Sequence, residues 1–116
     1  MNIEFESHGD VSVVIISGSV DGLTADDLLK RLQGYVAAGN LLLVANLAAV
    51  EYSSSAGLRA QLATVKQARR GGGDLRLACI NANVRKVLEL SGFTTIMKLF
   101  GDVEAAIASY AAPVRL

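Results

Sequence analysis

The sequence predicts a single α/β domain with a mixed β-sheet of four to five strands and about four α-helices, in the order ββαβαβα(β)α. Three observations carry that expectation. Two strand-like runs at the N-terminus are separated by turn residues. Beyond them, segments of helical period alternate with short apolar runs, the pattern of a largely parallel sheet. The chain has 116 residues, 52% of them apolar, which is enough for one core without disulfide or metal staples. No repeat, low-complexity stretch or linker interrupts it. The domain is therefore expected to span 1–112, with Pro113 opening a tail over 113–116.

The elements follow in chain order. Residues 2–7 alternate, with Ile3 and Phe5 on one face and Glu4 and Glu6 on the other; residues 11–16 are β-branched except for Ser12. His8-Gly9-Asp10 between them supplies turn chemistry, so the pair reads as a hairpin. A loop over 18–22 leads to Thr24, an expected N-cap, and to Asp26 and Asp27 in a first helical turn. Leu28, Leu29, Leu32, Tyr35 and Val36 recur at helical spacing up to Gly39, which predicts a helix over 25–38. The apolar run 41–45 is too short for a buried helix and suits a strand covered on both faces. A loop over 46–54 is expected next, then a helix over 56–70 with Leu58, Leu62 and Val65 inward. Gly71-Gly72-Gly73 reads as a flexible helix stop, and Lys66, Arg69 and Arg70 as a solvated basic face. Residues 75–79 predict a fourth strand. Asn81 or Asn83 starts a third helix closed by Gly92, 96–100 is strand-like, and Asp102 caps a last helix carrying Val103, Ala106, Ile107 and Tyr110.

Composition narrows the function. Eleven basic and eleven acidic residues give no net charge, which argues against a general nucleic-acid binder or a polybasic membrane-surface protein. The lone cysteine, Cys79, excludes an internal disulfide and reads as a small buried hydrophobe; the lone histidine, His8, reads as a surface turn residue. Together they cannot close a zinc site. No signal-peptide pattern or membrane-length apolar run is visible, so a cytoplasmic protein with no direct membrane insertion is expected.

The segment from Val50 to Arg59 carries the chemistry. It joins a strand to a helix, at the carboxyl end of a strand where open α/β sheets place their sites. Three serines, Ser53, Ser54 and Ser55, gather just before the helix. The plain reading is that Ser54 or Ser55 is an N-cap. The functional reading is that one serine accepts a phosphate, because free amides and the helix dipole favour an anion there. A nucleophilic serine is disfavoured: there is no G-x-S-x-G elbow, no nearby histidine, and Lys66 lies two turns further along the helix. The protein is therefore not expected to be an enzyme.

The serine segment resembles the signature of STAS domains, specifically the stand-alone anti-sigma factor antagonists of bacteria. The resemblance rests on Tyr52-Ser53-Ser54-Ser55-Ala56-Gly57-Leu58-Arg59 after Val44-Ala45-Asn46-Leu47, on Gly18-Ser19-Val20-Asp21 with Thr24, and on Gly92-Phe93. It implies a STAS-like fold and a partner switch. The unmodified protein binds an anti-sigma factor with GHKL-type serine kinase activity and frees a sigma factor. The kinase phosphorylates the motif serine and a serine phosphatase reverses it. The match puts the phosphoacceptor at Ser55, with Ser54 second. The implied docking residues are Asp21, Thr24, Tyr52, Ser53, Ser54, Ser55, Ala56, Gly57, Leu58 and Arg59. ATP and Mg²⁺ would belong to the kinase, so no cofactor is expected. Two residues depart from the common pattern: Ser54 and Asn46 both stand where aspartate is frequent. Alternatives are a STAS subunit of a lipid-transport ABC system or a stressosome-like scaffold, with the serine loop as docking surface, and a small-ligand module of the same fold.

Overall fold

The structure, a computed structural model, describes residues 1–111. Strands β1 (Asn2–His8) and β2 (Val11–Ser17) form the expected antiparallel hairpin. Then come α1 (Ala25–Ala37), β3 (Leu42–Ala49), α2 (Ser55–Arg70), β4 (Asp74–Ala78), α3 (Ala82–Leu90), a 3₁₀ turn (Phe93–Thr95), β5 (Leu99–Phe100) and α4 (Val103–Ala108). The five strands lie in the order β1-β2-β3-β4-β5, and every pair after the hairpin is parallel. The expected ββαβαβα(β)α order therefore holds, and the tail expected from Pro113 lies outside the described residues.

Alternation along β3 divides the core. Leu43, Ala45 and Leu47 pack with Leu28 and Leu32 of α1, Leu58 and Val65 of α2 and Leu88 of α3. Val44 points the other way, with Val13, Ala78 and Ala106 of α4. Strand β3 is thus apolar on both faces because helices cover both. Helix α4 is fixed through Tyr110 just beyond it. The Tyr110 hydroxyl lies 2.7 Å from the Leu43 carbonyl and 2.8 Å from that of Asp74, a shared donor, and burial pushes its pKa up.

Several boundaries differ from the expectation. Strand β3 runs on through Asn46 to Ala49, because Ile15 and Ser17 of β2 continue to pair with Asn46 and Ala49. The loop therefore begins at Val50, and α2 begins one residue earlier, at Ser55. Strand β4 ends at Ala78. Cys79 is only half-buried and takes a left-handed φ of 64°, while its amide donates to the Phe100 carbonyl at 3.2 Å. The segment 96–100 gives just two strand residues, preceded by the 3₁₀ turn. The triple glycine is an ordered stop: the amides of Gly71 and Gly73 both donate to the Ala68 carbonyl, and Gly73 packs so closely on the Leu41 backbone that no Cβ fits. Arg69 is not part of a free basic face. Its Nε lies 3.0 Å from the buried Asp74 carboxylate, which Arg76 also holds at 3.1 Å.

Candidate functional site

The loop between β3 and α2 is held from both sides. Val20, only 1% exposed, forms a parallel bridge with Ser53. Its amide donates to the Tyr52 carbonyl at 3.0 Å, and its carbonyl accepts from the Ser54 amide at 2.8 Å. From the other side, Asn81 Nδ2 donates to the carbonyls of Val50 (3.1 Å) and Glu51 (3.0 Å). The same side chain caps α3, its Oδ1 accepting from the Val84 amide at 2.8 Å. The sequence leaves this helix start open between Asn81 and Asn83 and carries no signal of the second role, because the partners are some thirty residues away.

The three serines take three different roles. Ser53 is 2% exposed, and its hydroxyl donates to the Ser54 carbonyl at 3.2 Å. Ser54 is extended (φ −68°, ψ 162°), and its hydroxyl accepts from the Gly57 amide at 3.2 Å. It is the N-cap that the sequence left open between Ser54 and Ser55. Ser55 is the first helical residue and is exposed. Its hydroxyl makes no hydrogen bond among the described residues. The amides of Ser55 and Ala56 lie in the first turn, where the helix itself offers no acceptor. Gly57 permits this close assembly: a Cβ there would sit 2.6 Å from Val20 Cγ1 and 2.8 Å from Ser53 Oγ.

The start of α1 completes the face. Thr24 stands at the expected N-cap position, but its backbone is helical (φ −97°, ψ −14°) and its side chain makes no capping bond to α1. Asp21 instead closes the preceding turn. Its Oδ1 accepts from the amides of Leu23 (2.9 Å) and Thr24 (3.0 Å), while Thr24 Oγ1 accepts from the Asp21 amide at 3.0 Å. These backbone donors, Thr24 first, hold the Asp21 carboxyl below its usual pKa. Thr24 thus serves the turn rather than the helix end. A shallow groove of about 230 Å³ between α1 and α2 is lined by Gly22, Asp26, Ala56 and Arg59, among others. The structure therefore brings the Asp21–Thr24 turn and the Tyr52–Arg59 segment onto one surface. Tyr52 and Arg59 are exposed on it, whereas Gly57 and Leu58 lie beneath.

Reactive partners for the serines are distant. His8 pairs with Val11 at the far end of β2 from Ser17, which pairs with Ala49 beside the loop. At about 3.3 Å per residue that is ~20 Å. Lys66 lies about 16 Å along α2 from Ser55 at about 1.5 Å per residue, about three turns and so farther than the two expected. Among the described residues no group of three or more His, Cys, Asp or Glu could hold a metal, and no helix is long and apolar enough to cross a membrane.

Residues 2–106 match the family described as the STAS domain. The chain belongs to the STAS domain family. BtrV of Bordetella bronchiseptica, named as an anti-sigma factor antagonist, is 33% identical over 110 residues, covering 95% of each protein. An anti-sigma factor antagonist from Mycobacterium paratuberculosis superposes with a TM-score of 0.84 at 29% identity, over 93% of this chain and 92% of that one. The antagonist SpoIIAA in its unphosphorylated form gives a TM-score of 0.81 at 19% identity, over 98% of this chain and 100% of that one. SpoIIAA, a Bacillus cell fate determinant, is also known in a phosphorylated form, with a TM-score of 0.71 at 18% identity, over 95% of this chain and 100% of that one. At these identities the two SpoIIAA structures speak for the STAS fold alone.

Proposed function

We propose that this protein is a non-enzymatic anti-sigma factor antagonist that acts in the cytoplasm. Its unmodified form docks an anti-sigma factor that is also a GHKL-type serine kinase, and so releases a sigma factor. Phosphorylation of Ser55 ends the docking, and a serine phosphatase restores it. The observation that carries the reading is the division of labour in the serine loop. Ser53 is buried and Ser54 caps the helix, which leaves Ser55 exposed beside free first-turn amides. The relatives named as antagonists support the partner class.

The switch follows from electrostatics. A phosphate adds about −1.5 to −2 charges, and the α2 N-terminus favours an anion, so the fold tolerates it. A partner surface closing over it meets an uncompensated dianion. Burying a charge unpaired costs about 3–5 kcal/mol, or about two to three and a half orders of magnitude in affinity.

Two measurements test this. Intact mass and peptide mapping after incubation with the serine kinase and ATP should add one phosphate, at Ser55. Pull-down should show Ser55→Ala binding like wild type and Ser55→Asp binding weakly. Label confined to Ser53 or Ser54 removes the site assignment. Undiminished binding by Ser55→Asp removes the switch and favours a scaffold or transporter subunit, in which the loop docks without modification.

A further inference from the structure

Leu23 is 92% exposed, more than any other large hydrophobic side chain among the described residues. It is not a loose loop tip. Its amide is held by Asp21 Oδ1 at 2.9 Å, and the next residue is held by the same oxygen at 3.0 Å. The turn thus presents a leucine on a fixed backbone, with little ordering entropy left to lose on binding. Its chain neighbour Gly22 shares the α1–α2 groove with Ala56, the neighbour of Ser55. The leucine and the serine therefore belong to one surface.

The charges around them are uneven. Asp21, Asp26 and Asp27 are exposed around the start of α1, and Arg59 is the exposed base across the groove. Among the described residues none of the four is in an ion pair. An isolated apolar knob with an acidic surround is complementary to an apolar recess with basic flanks.

We propose that Leu23 is the apolar anchor of the docking surface, and that the partner receives it in an apolar recess flanked by basic side chains. This rests on the reading that the serine-loop face docks the anti-sigma factor, and it adds a residue that the serine motif does not contain. The acidic residues then steer association, while Leu23 sets how long the complex lasts.

The test measures binding kinetics of the full chain against the serine-kinase anti-sigma factor of the same genome. Leu23→Ala should lower affinity about tenfold or more, mainly through faster dissociation, as central apolar anchors do. Leu23→Met should recover most of that loss. Leu90→Ala, at a leucine 79% exposed on the end of α3, should stay within twofold of wild type. The wild-type association rate should fall with added salt more steeply than that of Asp26→Asn. Wild type that binds, with Leu23→Ala within twofold of it, overturns the anchor and leaves the function standing. Wild type that does not bind sinks the function and the anchor together. A salt-independent association rate removes the basic flanks. Sedimentation that shows a dimer of this chain abolished by Leu23→Ala makes the occupant a second copy and overturns the assigned partner.

Discussion

Gly57→Ala should destabilise the protein, against the usual effect of replacing a helical glycine. The added Cβ would stand 2.6 Å from Val20 Cγ1, 3.2 Å from Val20 Cβ and 2.8 Å from Ser53 Oγ. The serine hydroxyl can rotate away. The valine cannot: it is β-branched, 1% exposed, and bonded through its backbone to both Tyr52 and Ser54. Overpacking of this kind costs about 1–3 kcal/mol. The gain in helix propensity offsets at most about 1 kcal/mol. The net loss is about 1–2 kcal/mol, or a fall in Tm of about 4–8 °C for a domain of this size. Gly34→Ala in α1 provides the contrast, since nothing lies within 4 Å of a Cβ there. It should stabilise by about 0.5–1 kcal/mol. Urea unfolding of both variants measures the difference. If Gly57→Ala is as stabilising as Gly34→Ala, the close contact between α2 and Val20 is wrong, and with it the account of how the serine loop is held.

Two further outcomes follow from the residues flanking the loop. Asn81→Ala removes a cap and two bonds to the loop carbonyls, but the site is exposed and water replaces part of the loss. It should cost about 1–2 kcal/mol in urea unfolding and speed amide exchange in the Val50–Ser54 loop. Unchanged exchange there refutes its role as a staple. The Asp21 carboxyl, whose folded pKa is depressed by backbone donors, contributes stability that is present above its ordinary value and lost as pH falls through the folded one. The loss is therefore confined to below about pH 4. A carboxyl-carbon NMR titration should place its midpoint below the ordinary aspartate value of about 3.9; a midpoint at or above that contradicts the turn geometry.

The fold was legible because its signals are local. Period-2 alternation in β1, helical spacing in α1 and α2, the cap at Asp102 and the choice of Asn81 or Asn83 for α3 each lie within a few residues. Errors came where distant partners decide. Ala48 and Ala49 have little strand preference, and β3 extends through them because β2 lies alongside. Arg69 reads as part of a solvated basic face until it is seen to clasp the buried Asp74 carboxylate together with Arg76 of β4. A local contest was equally hidden: Thr24 stands at the N-cap position, yet its hydroxyl accepts from the Asp21 amide and does not cap α1.

The serine loop shows why the capping and phosphoacceptor readings need not compete. In the sequence they are rival uses of the same residues. With Ser54 engaged by the Gly57 amide, the cap is made and Ser55 keeps its hydroxyl free. One of the two residues that depart from the frequent family pattern, Ser54, is the capping one. Aspartate and serine are about equal as N-caps, so Ser54 preserves the function an aspartate would have there while removing one negative charge beside Ser55. Phosphate on Ser54 would have to share its oxygen with the Gly57 amide, in a pocket half closed by Val20 and Ser53. Phosphate on Ser55 displaces nothing. The geometry that makes Ser54 a good cap is thus the same geometry that makes it a poor acceptor.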